Sequence, residues 1–228
     1  MQQQYLIIDA DDTLWENNIY FEQVTHNFIE FLNHSTLTPV QIRAVLSEVE
    51  REMVAYGYGT ASYIRSLQAT YHRLSEREIS DKDLQQIAAF ADLILHAPME
   101  LLPGVEETLA ILQPRQHLLL LTKGNTQEQE LKIERSGLKD YFEHVRVVPE
   151  KNVSTYLHLI EELSLDPAIT WMIGNSPRSD INPAQAAGLH AIYIPHPHTW
   201  QLEHEELQPQ GSGQLLTIQS FRELREHF

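Results

Sequence analysis

YLIIDADDTLWENN, residues 5–18, sets an apolar run against three aspartates within four positions, Asp9, Asp11 and Asp12. An uninterrupted apolar run closed by an acid reads as a short parallel strand buried on both faces. Carboxylates crowded at its end repel one another. Either they form a polar turn, which Asp and Asn favour, or a cation and a phosphate offset the repulsion.

The texture downstream sets the context. From about residue 17 to 97 helical periodicity runs without a strand signal. Ile19, Val24, Phe28 and Phe31 or Leu32 mark one amphipathic stretch, and Ile42, Val45, Leu46, Val49 and Met53 mark another. Thr38-Pro39 predicts a helix N-cap with Pro in the first turn, and Ser80 with Asp83 resembles a capping box. About four helices are expected in this block.

After residue 98 the pattern changes. Val105–Leu112 reads as a helix, HLLLLT (117–122) as a buried strand, and 126–136 as a helix closed by Gly137. VRVV (145–148) is a strand, 153–164 a helix, ITWMIG (169–174) a strand, 180–187 a helix closed by Gly188, and HAIYIP (190–195) a strand. PQGSG (209–213) reads as a loop. Alternation of this kind predicts an α/β fold, a Rossmann-like parallel sheet interrupted after its first strand by an inserted all-helical domain. The expected division is a core of residues 1–16 and 98–228 and a helical insert of 17–97.

Composition narrows the function. The 228 residues carry a formal charge of −16, which argues against nucleic acid or an anionic membrane surface as partner, since phosphate backbones need clustered Lys and Arg. With 42% apolar residues the chain can bury a core. It has no cysteine, so disulfides and thiolate metal sites are excluded. The N-terminal MQQQYLIID lacks the pattern of a secretory signal, and no apolar run reaches a membrane span, so a cytoplasmic location is expected.

In an open α/β sheet, ligands bind beyond the carboxyl ends of the strands. There the sequence places Asp9, Asp11 and Thr13; then Thr122, Lys123, Gly124 and Asn125; then Lys151; then Gly174 through Asp180. Carboxylates, a hydroxyl, an amide and a lysine suit phosphoryl transfer through an aspartyl phosphate. One carboxylate attacks, a second two residues on moves the proton, and Mg²⁺ takes oxygen ligands. A lysine, a hydroxyl and backbone N–H groups stabilise the phosphoryl oxygens.

DADDTLW (9–15), LLTKGN (120–125), EKN (150–152) and GNSPRSDI (174–181) resemble, in order, the four motifs of the haloacid dehalogenase-like hydrolase superfamily. LLPGVEETLAIL (101–112) is similar to the segment by which the chain re-enters the core in that superfamily. The resemblance implies a Mg²⁺-dependent phosphatase with a helical cap, acting on a small phosphorylated substrate such as a sugar phosphate, a phosphoglycolate-like acid or a nucleotide. It implies Asp9 as nucleophile and metal ligand, and Asp11 as general acid/base lending its backbone carbonyl to the metal. Thr122 would bind phosphate with the Lys123 and Gly124 amides nearby, Lys151 would hold nucleophile and phosphate, and Asp180 would bind or orient the metal. Asn175 stands where the superfamily often has Asp; its amide oxygen can ligate Mg²⁺ without bringing charge.

Other residues carry two readings each. Asp12 suits a turn. Trp15 either edges the substrate pocket or anchors packing. Lys123 is the substitute should Lys151 not reach the site. Arg178 either points at substrate or pairs with an acid, and His196, His198 and His204 fit exposed loop positions better than a zinc site. The same superfamily admits a 2-haloacid dehalogenase or a phosphomutase, and Asn175 keeps open a catalytically weak phosphate-binding protein. Asp11 argues against the dehalogenase.

Overall fold

The computed structural model describes residues 3–209 and 213–228. Part of the loop expected over 209–213, residues 210–212, lies outside the described residues. The chain divides into two compact units, Met1–Glu16 with Met99–Phe228, and Asn17–Pro98.

The first unit is built on six parallel strands: β1 (Tyr5–Ile8), β2 (His117–Lys123), β3 (His144–Val148), β4 (Thr170–Gly174), β5 (His190–Tyr193) and β6 (Leu215–Thr217), in the order β3-β2-β1-β4-β5-β6. Side chains alternate across the sheet. Leu6, Ile8, Leu118 and Leu120 join one apolar cluster, whereas Ile7, Leu119 and Leu121 join another on the opposite face. Both faces are covered, which is why these strands read as unbroken apolar runs. The short strand β6 was not expected, because three residues are too few to show a period.

The second unit contains α1 (Asn18–Leu32), α2 (Pro39–Met53), α3 (Thr60–Leu74), α4 (Asp81–Ala89) and α5 (Ala91–Leu95). Thr38 and Ser80 form the capping boxes the sequence predicts, with Gln41 and Asp83 respectively. Five helices stand where about four were expected. At Phe90 the backbone N–H bonds to Ile87 O, three residues back, and this tighter turn separates α4 from α5. Val24, Phe28, Leu46, Leu67, Tyr71 and Ile87 give this unit its own core.

Four further helices complete the sheet's covering layers: α6 (Val105–Leu112), α7 (Thr126–Ser136), α8 (Val153–Leu163) and α9 (Asn182–Ala186), with a terminal turn α10 (Leu224–His227). Val105, Leu109, Ile133 and Leu224 pack on one face, and Tyr156, Leu159 and Ala184 on the other. From β1 the chain winds outward through β2 and β3, then returns to β4 on the other side and runs to β6. β1 and β4 therefore flank the point where strand order reverses, the place where such sheets open a crevice.

Candidate active site

Asp9 follows β1 directly, and its N–H bonds to Ile173 O of β4 at 2.9 Å. Its carboxylate is spoken for on both oxygens: Lys151 Nζ donates to Oδ1 at 2.5 Å and Thr13 Oγ1 to Oδ2 at 2.9 Å. The Thr13 hydroxyl also lies 3.3 Å from Asn175 Oδ1, at the end of β4. The Asn175 Nδ2 donates to Thr199 Oγ1 at 3.0 Å, which turns its oxygen toward Asp9 and Thr13. Lys151 donates further to Asp180 Oδ1 at 2.8 Å. Asp9, Lys151, Asn175 and Asp180 thus meet at the β1/β4 switch, all of them buried.

Asp180 reaches this point through a π-helical turn, Pro177–Ile181, in which Ile181 N bonds back to Ser176 O at 3.1 Å. Here a helix was expected from residue 180; α9 instead begins at Asn182. The wide turn swings the Asp180 carboxylate over the end of β4, where its Oδ2 accepts from Ser176 N at 3.0 Å. Glycine at 174 makes this possible, because a Cβ there would stand 2.2 Å from Asp180 Oδ2.

Charge sets the protonation of these groups. Burial alone would push the Lys151 ammonium down, but Asp180 and Asp9 outweigh it and raise its pKa. For Asp180, burial and then the neighbouring Asp9 carboxylate push the pKa up to about 7, against the pull of Lys151. One ammonium facing two buried carboxylates leaves an excess negative charge, which a cation would balance. An all-oxygen donor set of Asp9, Asn175, Asp180 and a backbone carbonyl is the kind Mg²⁺ takes.

Thr122 lies on β2 one residue before its end, buried, and its hydroxyl has no hydrogen-bond partner among the described residues. The neighbouring residues differ from expectation. The Gly124 amide donates to Val148 O at 3.2 Å and so extends the β2–β3 ladder instead of standing free. The Lys123 side chain turns away to Glu203 (2.6 Å), Ser179 Oγ (2.7 Å) and Glu150 (3.3 Å). It is no substitute for Lys151. Trp15 is 1% exposed and packed in the core, the anchoring reading of its two, and its Nε1–H donates to Asp11 Oδ1 at 2.8 Å.

Asp11 is bound on all sides. Besides Trp15 it accepts from Gln129 Nε2 at 2.8 Å and from Lys132 Nζ at 2.8 and 2.7 Å. Burial pulls its carboxyl up, but the Lys132 charge and these hydrogen bonds win and hold it below the usual carboxylate range. Asp12 takes the left-handed backbone (φ 58°) of a turn residue, with its N–H on Trp15 O at 2.8 Å.

The histidine loop differs in detail. His196 is not exposed; its side chain is 9% accessible and lies 3.7 Å from Asp12 Oδ1 and 3.4 Å from Glu16 Oε2. Asp12, Glu16 and His196 offer ligand atoms within 4.8 Å of one another. Burial and the adjacent His198 lower the His196 pKa against the pull of Glu16. Arg178 is exposed and meets a carbonyl, Leu202 O at 2.9 Å, not an acidic side chain.

Sequence reading had missed Gln129, Lys132 and Glu203. Gln129 and Lys132 stand three apart on α7, a shared face that names no partner by itself. Glu203 accepts from Ser176 Oγ at 2.5 Å as well as from Lys123, and so fastens the ends of β2 and β4 together.

Residues 4–188 match the haloacid dehalogenase-like hydrolase family. Pyrimidine 5'-nucleotidase YjjG of Escherichia coli (strain K12) is 24% identical over 234 residues, covering 99% of this chain and 98% of that protein. A haloacid dehalogenase-like family hydrolase from Xanthomonas campestris superposes with a TM-score of 0.82 at 29% identity, over 99% of this chain and 94% of that one. YfnB from Bacillus subtilis, classed with the HAD-hydrolases and bound to magnesium, shares the fold with a TM-score of 0.68 at 18% identity, over 100% and 99%. Among the described residues no helix is long and apolar enough to cross a membrane.

Proposed function

Because the chain belongs to the haloacid dehalogenase-like hydrolases, we propose that it hydrolyses a small phosphomonoester through a phosphorylated Asp9. The observation that carries this reading is the Lys151 bridge, 2.5 Å from Asp9 and 2.8 Å from Asp180. A buried ammonium held against a strand-end carboxylate stands ready to neutralise phosphoryl oxygens. The Thr122 hydroxyl at the end of β2, not taken up by any bond among the described residues, supports the same assignment because it is free to donate to a phosphoryl oxygen.

In this reading Asp9 attacks phosphorus, forming the Asp9–phosphorus bond as the ester bond breaks, and Asp11, which must first take up a proton and leave Lys132, gives that proton to the departing alkoxide. Asp11 then takes a proton from water, which attacks phosphorus, frees Asp9 and releases phosphate. Thr122 and Lys151 hold the phosphoryl oxygens throughout. Mg²⁺, for which Asp9, the Asp11 carbonyl, Asn175 Oδ1 and Asp180 are the proposed ligands, would supply positive charge against the phosphate. The helical unit Asn17–Pro98 is proposed as the cap that selects the leaving group.

The full-length similarity to a pyrimidine 5'-nucleotidase supports a nucleoside monophosphate as first candidate among phosphorylated metabolites. The test is phosphate release from a panel of nucleoside monophosphates, sugar phosphates and phosphoglycolate, with Mg²⁺ and with chelator. Activity should vanish with chelator and fall by about 10³-fold or more in Asp9→Asn. Full turnover by Asp9→Asn refutes the mechanism, and halide release from 2-haloacids in chelator would point to a dehalogenase instead.

A further inference from the structure

The segment that follows β5 meets the loop between β4 and α9 at successive residues. Thr199 Oγ1 accepts from Asn175 Nδ2 at 3.0 Å, Leu202 O accepts from Arg178 at 2.9 Å, and Glu203 Oε2 accepts from Ser176 Oγ at 2.5 Å. Two of the proposed Mg²⁺ ligands, Asn175 and Asp180, stand on that loop. Glu203 is the charged member of this brace, and it is buried. Burial pulls its carboxyl up, but the Lys123 charge and hydrogen bonds from Lys123, Ser176 and Ser179 win and hold it below the usual carboxylate range.

A carboxylate accepting from a hydroxyl makes a charge-assisted bond, one of the stronger kind. It also settles which way the hydroxyl faces. A serine hydroxyl has one proton to give; with that proton committed to Glu203, the Ser176 oxygen turns a lone pair to Ser179 N at 2.9 Å. This bond caps the π-helical turn Pro177–Ile181. Ser176 N in its turn holds Asp180 Oδ2 at 3.0 Å. The second Glu203 oxygen, Oε1, receives Lys123 Nζ at 2.6 Å, and the same ammonium donates to Ser179 Oγ at 2.7 Å. Ser176 and Ser179 are thus both fixed by the Glu203–Lys123 pair.

We propose that Glu203 is a positioning residue for the metal site: acting through Ser176, it sets the turn that aims Asp180 and thereby the affinity for Mg²⁺. The proposal rests on the reading of Asn175 and Asp180 as Mg²⁺ ligands. A ligand whose supports are fixed needs no ordering when the cation arrives, and such supports typically contribute about 10–100-fold to metal affinity. Glu203 carries charge as well as shape, and its field alone would favour a cation nearby. Reach separates the two effects, because Glu203→Asp keeps the charge and withdraws it by one methylene from Ser176.

The experiment titrates Mg²⁺ into the whole metal-free chain by calorimetry and follows urea unfolding of the same samples. Glu203→Ala and Glu203→Asp should each weaken Mg²⁺ binding roughly tenfold. Ser176→Ala, which leaves the Glu203–Lys123 pair in place, should weaken it similarly. Combined with Glu203→Ala it should cost little more than either change alone, since both act through one bond. A merely structural Glu203 would lower stability in urea and leave the Mg²⁺ Kd unmoved, and that result overturns the proposal. So does a loss confined to Glu203→Ala, which would be the field alone, or a double variant whose losses simply add. Asp180→Asn tests the ligand reading by itself. If it binds Mg²⁺ as tightly as the unaltered chain, the ligand assignment fails and the proposal falls with it. If it binds weakly while Glu203→Asp and Ser176→Ala bind normally, the proposal alone fails.

Discussion

Lys151 donates to Asp180 across 2.8 Å with both side chains almost sealed from solvent, at 2% and 1% exposure. The same ammonium serves Asp9, so three ionisable groups share one dry space at the β1/β4 switch. Asp180 meets this by holding a proton to about pH 7. Stability and catalysis therefore draw on the same residues.

Lys151→Met strands two buried carboxylates and should cost about 3–5 kcal/mol in urea unfolding at neutral pH. The loss should shrink on acidification, because protonating Asp180 removes one of the unpaired charges. Phosphate release should be abolished as well.

The pH dependence has a definite sign. An unfolded Asp titrates near about 3.9, whereas folded Asp180 titrates at about 7. The folded state thus binds more protons between these values, so the stability contributed by Asp180 is fully present below about pH 4 and lost as pH rises through about 7. Asp11 is lowered and acts oppositely, losing its contribution as pH falls below the usual carboxylate range. Melting of the metal-free protein should therefore drop from about pH 6 to about pH 8, and Mg²⁺ should restore it chiefly at the higher pH. An equal Mg²⁺ effect at both pH values would contradict this.

Gly174→Ala places a Cβ 2.2 Å from Asp180 Oδ2 and 2.5 Å from its Cγ. Asp180 must move off Ser176 N and Lys151. The expected cost is about 1–3 kcal/mol, with a larger loss of the Mg²⁺-dependent rise in melting temperature than of stability itself.

Asn175→Asp adds a second charged oxygen beside Asp9 and replaces the Nδ2 that donates to Thr199 with an acceptor. The metal-free protein should be less stable by about 1–2 kcal/mol, and titration calorimetry should show tighter Mg²⁺ binding. Weaker binding would remove Asn175 from the proposed ligand set.

Much of this was readable from the chain because the features involved are local. Buried parallel strands advertise themselves as apolar runs, caps as Ser or Thr followed three residues on by an acid or amide, and motif order survives without coordinates. What the chain left open or misplaced depends on neighbours far along it. Trp15 as a packing anchor, Lys123 turned to Glu203, and the Gly124 amide spent on Val148 are settled by residues that lie from 24 to 86 positions away.

The sequence alone determined that Asp9, Thr122, Lys151 and Asp180 would gather at strand ends, because a parallel sheet delivers its carboxyl ends to one edge. Only the tertiary structure decided how those groups are divided. It gave Lys151 to both Asp9 and Asp180, turned Asn175 through Thr13 toward Asp9, and tied Asp11 to Lys132, Gln129 and Trp15. The reason is physical. Which donor reaches which carboxylate is a matter of distance and burial within a packed interior, and spacing along the chain carries no record of either.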